Sequence, residues 1–158
     1  MMKLTMAYRS IIFVGSFLII NFAHGQKAEV SMLLDDWHLA AANADSLAYF
    51  SRITDPSVFV GTDSSEVWDK VQFINFSAPY FAKGKAWNFK ATSRNIYTDK
   101  KHKNIAWFDE MLDTWMGPCR GSGVVVKQKG KWLIKHYVLS VTVPNDRIQE
   151  VIKAVKSN

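Results

Sequence analysis

Side chains that can hold or move a proton lie on neighbouring predicted strands in the last third of the chain. His136 follows the Lys129-Gly130 turn and shares one predicted strand face with Trp132 and Ile134. Because successive strand residues point to opposite faces, we expect the imidazole to project into a half-polar pocket. There it could act as a general base or donate a hydrogen bond to a ligand. A buried structural histidine is the alternative.

Two adjacent acids, Asp109 and Glu110, lie among large apolar residues in an earlier strand. A carboxylate in an apolar cavity has its pKa raised by desolvation, which suits a proton shuttle. Strand alternation lets only one of the two face inward. We therefore take His136, Glu110 and Asp109 as catalytic candidates. The alternative for either acid is a structural pair with Arg120.

Arg120 begins the next predicted strand, and Ser122 lies on the same face. A guanidinium in a pocket holds a ligand carboxylate or is neutralised by an acid. One hairpin register sets Asp113 opposite Arg120 with Asp109 on that face, and the other brings Glu110 there. We expect Arg120 and Ser122 to contact a ligand, with a surface ion pair worth about 0–1 kcal/mol as the alternative.

Large aromatic residues are a second kind of binding candidate, because they can line a cavity and stack on a flat ligand. The candidates are Trp37, Phe59, Trp68, Tyr80 and Trp107. Ordinary core packing is the alternative for all of them. Asp63, in a turn over residues 62–65, is a further candidate, although such a residue more often caps or shapes its turn.

Metal and cofactor chemistry have no matching pattern in the sequence. The histidines lack metal-ligand spacing and Cys119 is the single cysteine, so we expect no metal site and no cofactor. A single cysteine also excludes a disulfide within the chain. Gly121-Ser122-Gly123 is not a nucleophile elbow, because no strand-to-helix turn follows it.

The first 25 residues have the three parts of a secretory signal peptide. Lys3 and Arg9 supply positive charge, residues 11–20 are apolar, and Ala23-His24-Gly25 places small residues where signal peptidase reads them. We predict cleavage near Gly25/Gln26, which leaves residues 26–158 as one periplasmic or secreted domain. The apolar run is shorter than the ~20 residues of a membrane-spanning helix, so we expect no stable membrane anchor after cleavage. An uncleaved anchor is the alternative.

The charge of the chain is only mildly basic once that segment is removed. Loss of Lys3 and Arg9 lowers the net charge from +6 to +4, because 18 basic residues then face 14 acidic ones. The lysines of the second half are scattered, mostly beside turns. Nucleic-acid binding requires a concentrated basic face, so we expect no nucleic-acid partner.

The elements that must position these residues follow from hydrophobic period and turn chemistry. Apolar steps of three and four predict a helix over 27–43, and Asp45 can cap a second helix through Phe50. The other predicted helices cover 66–81 and 147–156, and the first of them has Val67, Val71, Ile74 and Ala78 as its apolar stripe. The predicted strands are one over 57–61, one over 87–99 and three between 105 and 143. Helices segregated from a meander of strands give an α+β fold.

Several segments together resemble the SnoaL-like branch of the nuclear transport factor 2-like superfamily. They are WHLAAANAD at 37–45, VFVGTDSSEVW at 58–68, AWFDE at 106–110, RGSG at 120–123 and WLIKHYVLS at 132–140. The resemblance covers about residues 28 to 146. It implies a cone-shaped, cystatin-like α+β barrel, in which a curved antiparallel sheet wraps around the N-terminal helices and encloses a deep pocket.

The resemblance implies less about activity, because the superfamily includes isomerases, cyclases, dehydratases and members that only bind or scaffold. This chain also has Val138 where related sequences often carry a second histidine. We predict a pocket for an unknown small-molecule ligand. A proton-transfer enzyme and a dimeric scaffold with a filled cavity are the alternatives.

The resemblance implies that two copies often pair through their sheets. The sequence contains an apolar surface that could serve for this pairing. Leu133, Tyr137, Leu139 and Val141 are predicted to lie outward of the pocket face. An apolar patch of this kind has to be covered, so we expect a homodimer.

Overall fold

The computed structural model describes residues 10–156, with side chains from Gly25 onward. The positively charged start of the expected signal peptide therefore lies outside the described residues. The rest of that segment forms the first part of a long helix. Within the described residues, no helix is both long enough and apolar enough to cross a membrane.

The described chain contains helices, one 3-10 turn and a single six-stranded sheet. The helices are α1 (Ser10–Ala42), α2 (Ser46–Ser51), α3 (Lys70–Ala82) and α4 (Ile148–Lys156), and the 3-10 turn is Asn145–Arg147. The strands are β1 (Ile53–Val60), β2 (Val67–Asp69), β3 (Lys90–Thr98), β4 (Ile105–Thr114), β5 (Gly117–Gln128) and β6 (Lys131–Val141). The sheet order is β2-β1-β6-β5-β4-β3, and β1 with β6 is its parallel pair. The predicted α+β class and the curved sheet beside N-terminal helices are confirmed.

Local capping explains where the short helices begin. The Asp45 side chain accepts a hydrogen bond from the Ala48 amide at 2.8 Å, which caps α2 as predicted. Helix α3 starts later than predicted, because residues 67–69 pair with β1 as an extra strand. Its N-cap is Asp69, which exchanges hydrogen bonds with Gln72 in a capping box.

The buried side of α3 differs from the predicted apolar stripe. Phe73, Ser77 and Phe81 face the core, whereas Val71 is 65% exposed. The aromatic rings on the buried side give more apolar area per residue than valine or alanine, so they decide which side packs. Phe73 stacks on Phe59 of β1 with ring centroids 4.2 Å apart.

A β-bulge at Lys135 decides which β6 side chains face the helices. Val125 pairs with Ile134 but Val124 pairs with His136, so Lys135 is an extra residue in β6. Trp132 and Ile134 are buried as predicted, and beyond the bulge Tyr137 is the buried residue. The prediction that His136 projects into the pocket is therefore wrong, since one added residue exchanges the two faces of a strand.

The core lies between the concave face of the sheet and the helices, and it is strongly aromatic. Trp37 of α1 stacks on Tyr49 of α2 with centroids 4.8 Å apart. It also meets Tyr137 of β6 edge-on at 4.8 Å. Aromatic pairs in these geometries add to the stabilisation from burial, so the rings fix the helices on the sheet.

Candidate functional site

A cavity of about 320 Å³ opens between the concave face of the sheet and the helices. Four of the five predicted aromatic residues line it: Trp37, Phe59, Trp68 and Tyr80. Further aromatic rings complete the wall, namely those of Tyr49, Phe73, Phe76, Trp87, Phe89, Trp115 and Tyr137. The size lies at the lower end of the range for small-molecule pockets, which are mostly apolar with a few polar groups.

Four of the eight predicted ligand contacts lie outside this wall, and Trp107 and Asp63 are two of them. Trp107 is on the outer face of the sheet, 44% exposed and stacked on Tyr97, so its placement in the pocket is wrong. Alternation along β4 explains this, because the neighbouring Ala106 and Phe108 are the buried residues. Asp63 accepts hydrogen bonds from the side chain and the amide of Ser65, which lower its pKa and shape the turn.

Glu110 is the acid that faces inward, and it is 1% exposed. His38 Nε2 lies 2.7 Å from its Oε1, and Arg94 Nε donates to its Oε2 at 2.8 Å. Burial alone would raise the pKa of this carboxyl, but the hydrogen bond and charge of His38, together with Arg94, outweigh it and lower the pKa. The expectation of a raised pKa is wrong, because sequence reasoning did not include these two partners.

The polar cluster continues from Arg94 to the first helix. Its Nη1 donates to the Ser31 carbonyl at 3.0 Å, to the Ser31 hydroxyl at 2.9 Å and to Asp35 at 2.8 Å. One guanidinium thus ties α1 to β3 and, through Glu110, to β4. A carboxylate held between a histidine and an arginine stays ionised, so Glu110 orients its partners rather than donating a proton.

The other predicted polar site residues lie on the outer face of the sheet. Met111 pairs with Arg120, so neither of the two registers considered for this hairpin forms. Arg120 is exposed, and Ser122 lies beyond the buried Gly121 on the same outer side. Asp109 accepts hydrogen bonds from Asn95 at 3.1 Å and from Tyr97 at 3.0 Å. The inward placement of Arg120, Ser122 and Asp109 is therefore wrong.

His38, like Arg94, is a site residue that sequence reasoning missed. It is 6% exposed and lies in the wall of a second cleft of about 470 Å³, between α1, the start of β3 and the end of β4. Its Nε2 faces Glu110, whereas its Nδ1 has no hydrogen-bond partner among the residues that the structure describes. A signal was present, because His38 follows the buried Leu34 by four residues and precedes the buried Ala41 by three.

The residues that form this fold also match a protein-family model. The model described as "SnoaL-like domain" matches residues 30–144. The chain belongs to the SnoaL-like family. Its matched span contains α1 from Val30 onward, all six strands and both cavities. A comparison with curated proteins finds no match.

Solved structures share the fold of this SnoaL-like domain at low sequence identity. A protein of unknown function from Mycobacterium tuberculosis is 14% identical with a TM-score of 0.65, over 81% of this chain and 78% of the other. An NTF2-like protein of unknown function from Pseudomonas putida is 13% identical with a TM-score of 0.61, over 75% and 88%. A Streptomyces avermitilis protein of the NTF2-like family, named as a candidate dehydratase, is 12% identical with a TM-score of 0.63, over 74% and 96%. These likenesses show the fold alone.

Buried polar atoms that lack a hydrogen-bond partner in the described part of the chain mark where this SnoaL-like domain could receive a ligand group or water. Besides His38 Nδ1, they include Trp37 Nε1 and the Tyr137 hydroxyl. Burial and the charge of Glu110 raise the pKa of Tyr137 well above its usual value, so it stays a neutral phenol. Within the described residues, no three histidine, cysteine or acidic side chains are grouped to hold a metal ion.

Proposed function

We propose that this SnoaL-like domain binds a small molecule with a flat, largely apolar or aromatic body in the cavity between sheet and helices. The observation that carries the proposal is the cavity itself, about 320 Å³ that the protein's own side chains leave unfilled. A domain that served only as a scaffold would fill this space, because unfilled apolar cavities cost stability. Stacking on the rings of the wall would hold a flat ligand.

Binding fits this cavity better than turnover. Among the described residues of its wall, Glu66 is the one acid, and no histidine, lysine or arginine accompanies it. Acid–base catalysis needs groups that exchange a proton within reach of the substrate. The wall offers contact area and orientation instead.

A thermal-shift screen of aromatic metabolites tests the proposal. We expect some compounds to raise the melting temperature of the wild type, since a ligand at 100 times its Kd adds about 2.7 kcal/mol. Trp68→Ala should lose this response, because Trp68 lies in the wall and stacks on Phe76 at 4.3 Å. Trp107→Ala is the matched control, since it removes the same side chain from the outer face. A library without hits, or equal responses in both variants, would contradict the proposal.

Proton transfer at the second cleft is the other candidate function, and the position of His38 between Glu110 and this cleft favours it. When Nε2 donates its proton to Glu110, Nδ1 is left as an acceptor without a hydrogen-bond partner among the described residues. A histidine oriented by a carboxylate in this way is a competent general base. His136 and Asp109 lie on the other side of the sheet and take no part.

Deuterium exchange separates the two candidates. Carbonyl compounds that bind in the screen are incubated with the protein in D2O, and loss of the proton next to the carbonyl is followed by NMR. We expect His38→Gln to abolish any catalysed exchange, while His136→Gln retains it. Exchange that is absent from the wild type would leave binding as the function, and exchange that is equal in His38→Gln would exclude His38 as the base.

We also propose that the domain acts after export, as a periplasmic or secreted protein. The charged start, the apolar run and the small residues before Gln26 support this. Mass spectrometry of the protein purified from its native host should find Gln26 at the N-terminus. Soluble protein that retains residues 1–25 in the cytoplasm would contradict export.

A further inference from the structure

The aromatic cavity has one charged side chain in its described wall, the half-buried Glu66. Its Oε2 accepts a hydrogen bond from the Asp63 amide at 3.1 Å, which holds the carboxylate in the loop between β1 and β2. The carboxylate lies against Gly61, where a β-carbon would collide with it. The residue at 61 therefore has to be small for Glu66 to occupy this position.

The Glu66 carboxylate can accept a further hydrogen bond from a ligand. No hydrogen bond to Glu66 Oε1 is formed within the described residues, although a carboxylate can accept several. An acceptor oxygen in the wall of a largely apolar cavity attracts a donor more strongly than the same group in bulk water. A hydrogen-bond donor of a ligand, placed beside Gly61 and Thr62, would give Glu66 Oε1 a partner.

The rings beside Glu66 favour a donor that is positively charged. Trp68 and Phe76 are stacked 4.3 Å apart in the wall, and Trp115 lies in it as well. The faces of aromatic rings attract cations, tryptophan most strongly. The chain already shows this contact nearby, since the Lys83 ammonium, outside the wall, lies 5.7 Å from the Tyr80 ring centroid. An anionic ligand would meet Glu66 without a compensating cation in the described wall.

We infer that the ligand of this cavity is an amine, an aromatic or otherwise apolar body that carries a protonated nitrogen which Glu66 receives. The inference rests on the proposed binding function and adds the charge of the ligand to it. The apolar body fills the aromatic part of the cavity, and the ammonium donates to Glu66 Oε1. A charged hydrogen bond of this kind is stronger than a neutral one.

Isothermal titration calorimetry with three probes of one shape tests the inference. The probes are tryptamine, indole-3-ethanol and indole-3-propanoate, which differ at the end of the side chain. We expect tryptamine to bind about tenfold tighter than the alcohol, and the carboxylate to bind most weakly. Glu66→Gln, which keeps the size and the acceptor for the Asp63 amide, should reduce tryptamine to the affinity of the alcohol. Glu150→Gln is the matched control, since it makes the same change on α4, outside the wall.

The outcomes separate this inference from the proposed function. If the alcohol binds as well as the amine in the wild type, the amine inference is overturned and binding by the cavity stands. If Glu66→Gln binds tryptamine like the wild type, the assignment to Glu66 is overturned in the same way. If none of the three probes binds at millimolar concentration and the library screen gives no hit, both fail. The order of the three probes in the wild type needs no variant, so the test holds even if Glu66→Gln folds poorly.

Discussion

Several elements depend on the buried carboxylate of Glu110. His38 reaches it from α1 and Arg94 from β3, and both contacts are shorter than 2.9 Å. Because its pKa is lower in the folded state than its ordinary value of 4.5, the folded protein holds its ionised form more strongly than the unfolded chain does. The stability that results is present above that ordinary value and is lost as the pH falls through the lower folded pKa.

We therefore predict that acid destabilises the wild type partly through Glu110. The free energy of unfolding, measured by urea denaturation at a series of pH values, should fall as the pH drops below about 4.5. Glu110→Gln should lower stability at pH 7 by about 3–5 kcal/mol, because His38 and Arg94 lose a buried charged partner. The free energy of unfolding of Glu110→Gln should also fall less than that of the wild type as the pH is lowered.

The control for this experiment is the adjacent acid on the outer face. Asp109→Asn removes a carboxylate that accepts hydrogen bonds from Asn95 and Tyr97 at the surface, so its effect at pH 7 should be small. If Asp109→Asn cost as much as Glu110→Gln, the inward network would not be the main source of the difference.

Among the elements, the β5–β6 pair controls the shape of the cavity wall. Gly123 lies opposite Tyr137, next to the pair where the register shifts. A β-carbon at Gly123 would collide with the backbone carbonyl of His136 and would meet the Phe108 ring at 3.0 Å. Only a residue without a side chain allows β6 to approach β5 in this way.

We predict that Gly123→Ala destabilises the domain by about 1–3 kcal/mol, the usual cost of inserting a carbon atom into a packed interior. Chemical denaturation followed by tryptophan fluorescence measures it. Ser122→Thr adds one carbon to the next residue on the outer face and should change stability little. Equal effects of the two substitutions would show that the close approach at Gly123 is unimportant.

The bulge also marks the limit of sequence reasoning for elements. Helix periodicity and the Asp45 cap are local signals, and they correctly predicted α2 and the helix that forms the later part of α1. The bulge at Lys135 leaves no such signal, because the residues of β6 alternate without a glycine or proline. The extra residue is defined only by pairing with β5, and it moved His136 outward and Tyr137 inward.

The candidate site was predictable in its apolar part and not in its polar part. Residue type predicted four aromatic residues of the wall correctly, Trp37, Phe59, Trp68 and Tyr80, but it failed for Trp107, which lies on the outer face of β4. The partners of Glu110 come from 72 residues away for His38 and 16 for Arg94. Such pairs depend on the register of β3 with β4 and on the position of α1 against the sheet. Local sequence patterns do not determine either of these.

For the whole molecule, the outer face of the sheet carries a row of side chains across five strands. Pairing aligns Val58, His136, Val124, Trp107 and Tyr97 in that order. Val58, Trp107 and Tyr97 are 41–44% exposed. Tyr137 and Leu139 line the cavity instead, so they do not belong to the surface that was expected to pair. The exposed aromatic and aliphatic row replaces them as the candidate dimer contact.

We predict a homodimer that pairs through this row in a two-fold arrangement, with Trp107 near its centre. Multi-angle light scattering after size exclusion, at high micromolar protein, should give twice the mass of one chain of the purified protein. Trp107→Glu should give the monomer mass, because a buried, unpaired carboxylate in each copy opposes association. Leu47→Glu is the control, since Leu47 is 82% exposed on α2, and it should remain dimeric. A wild type that is monomeric at this concentration, or a Trp107→Glu variant that stays dimeric, would rule out pairing through the row.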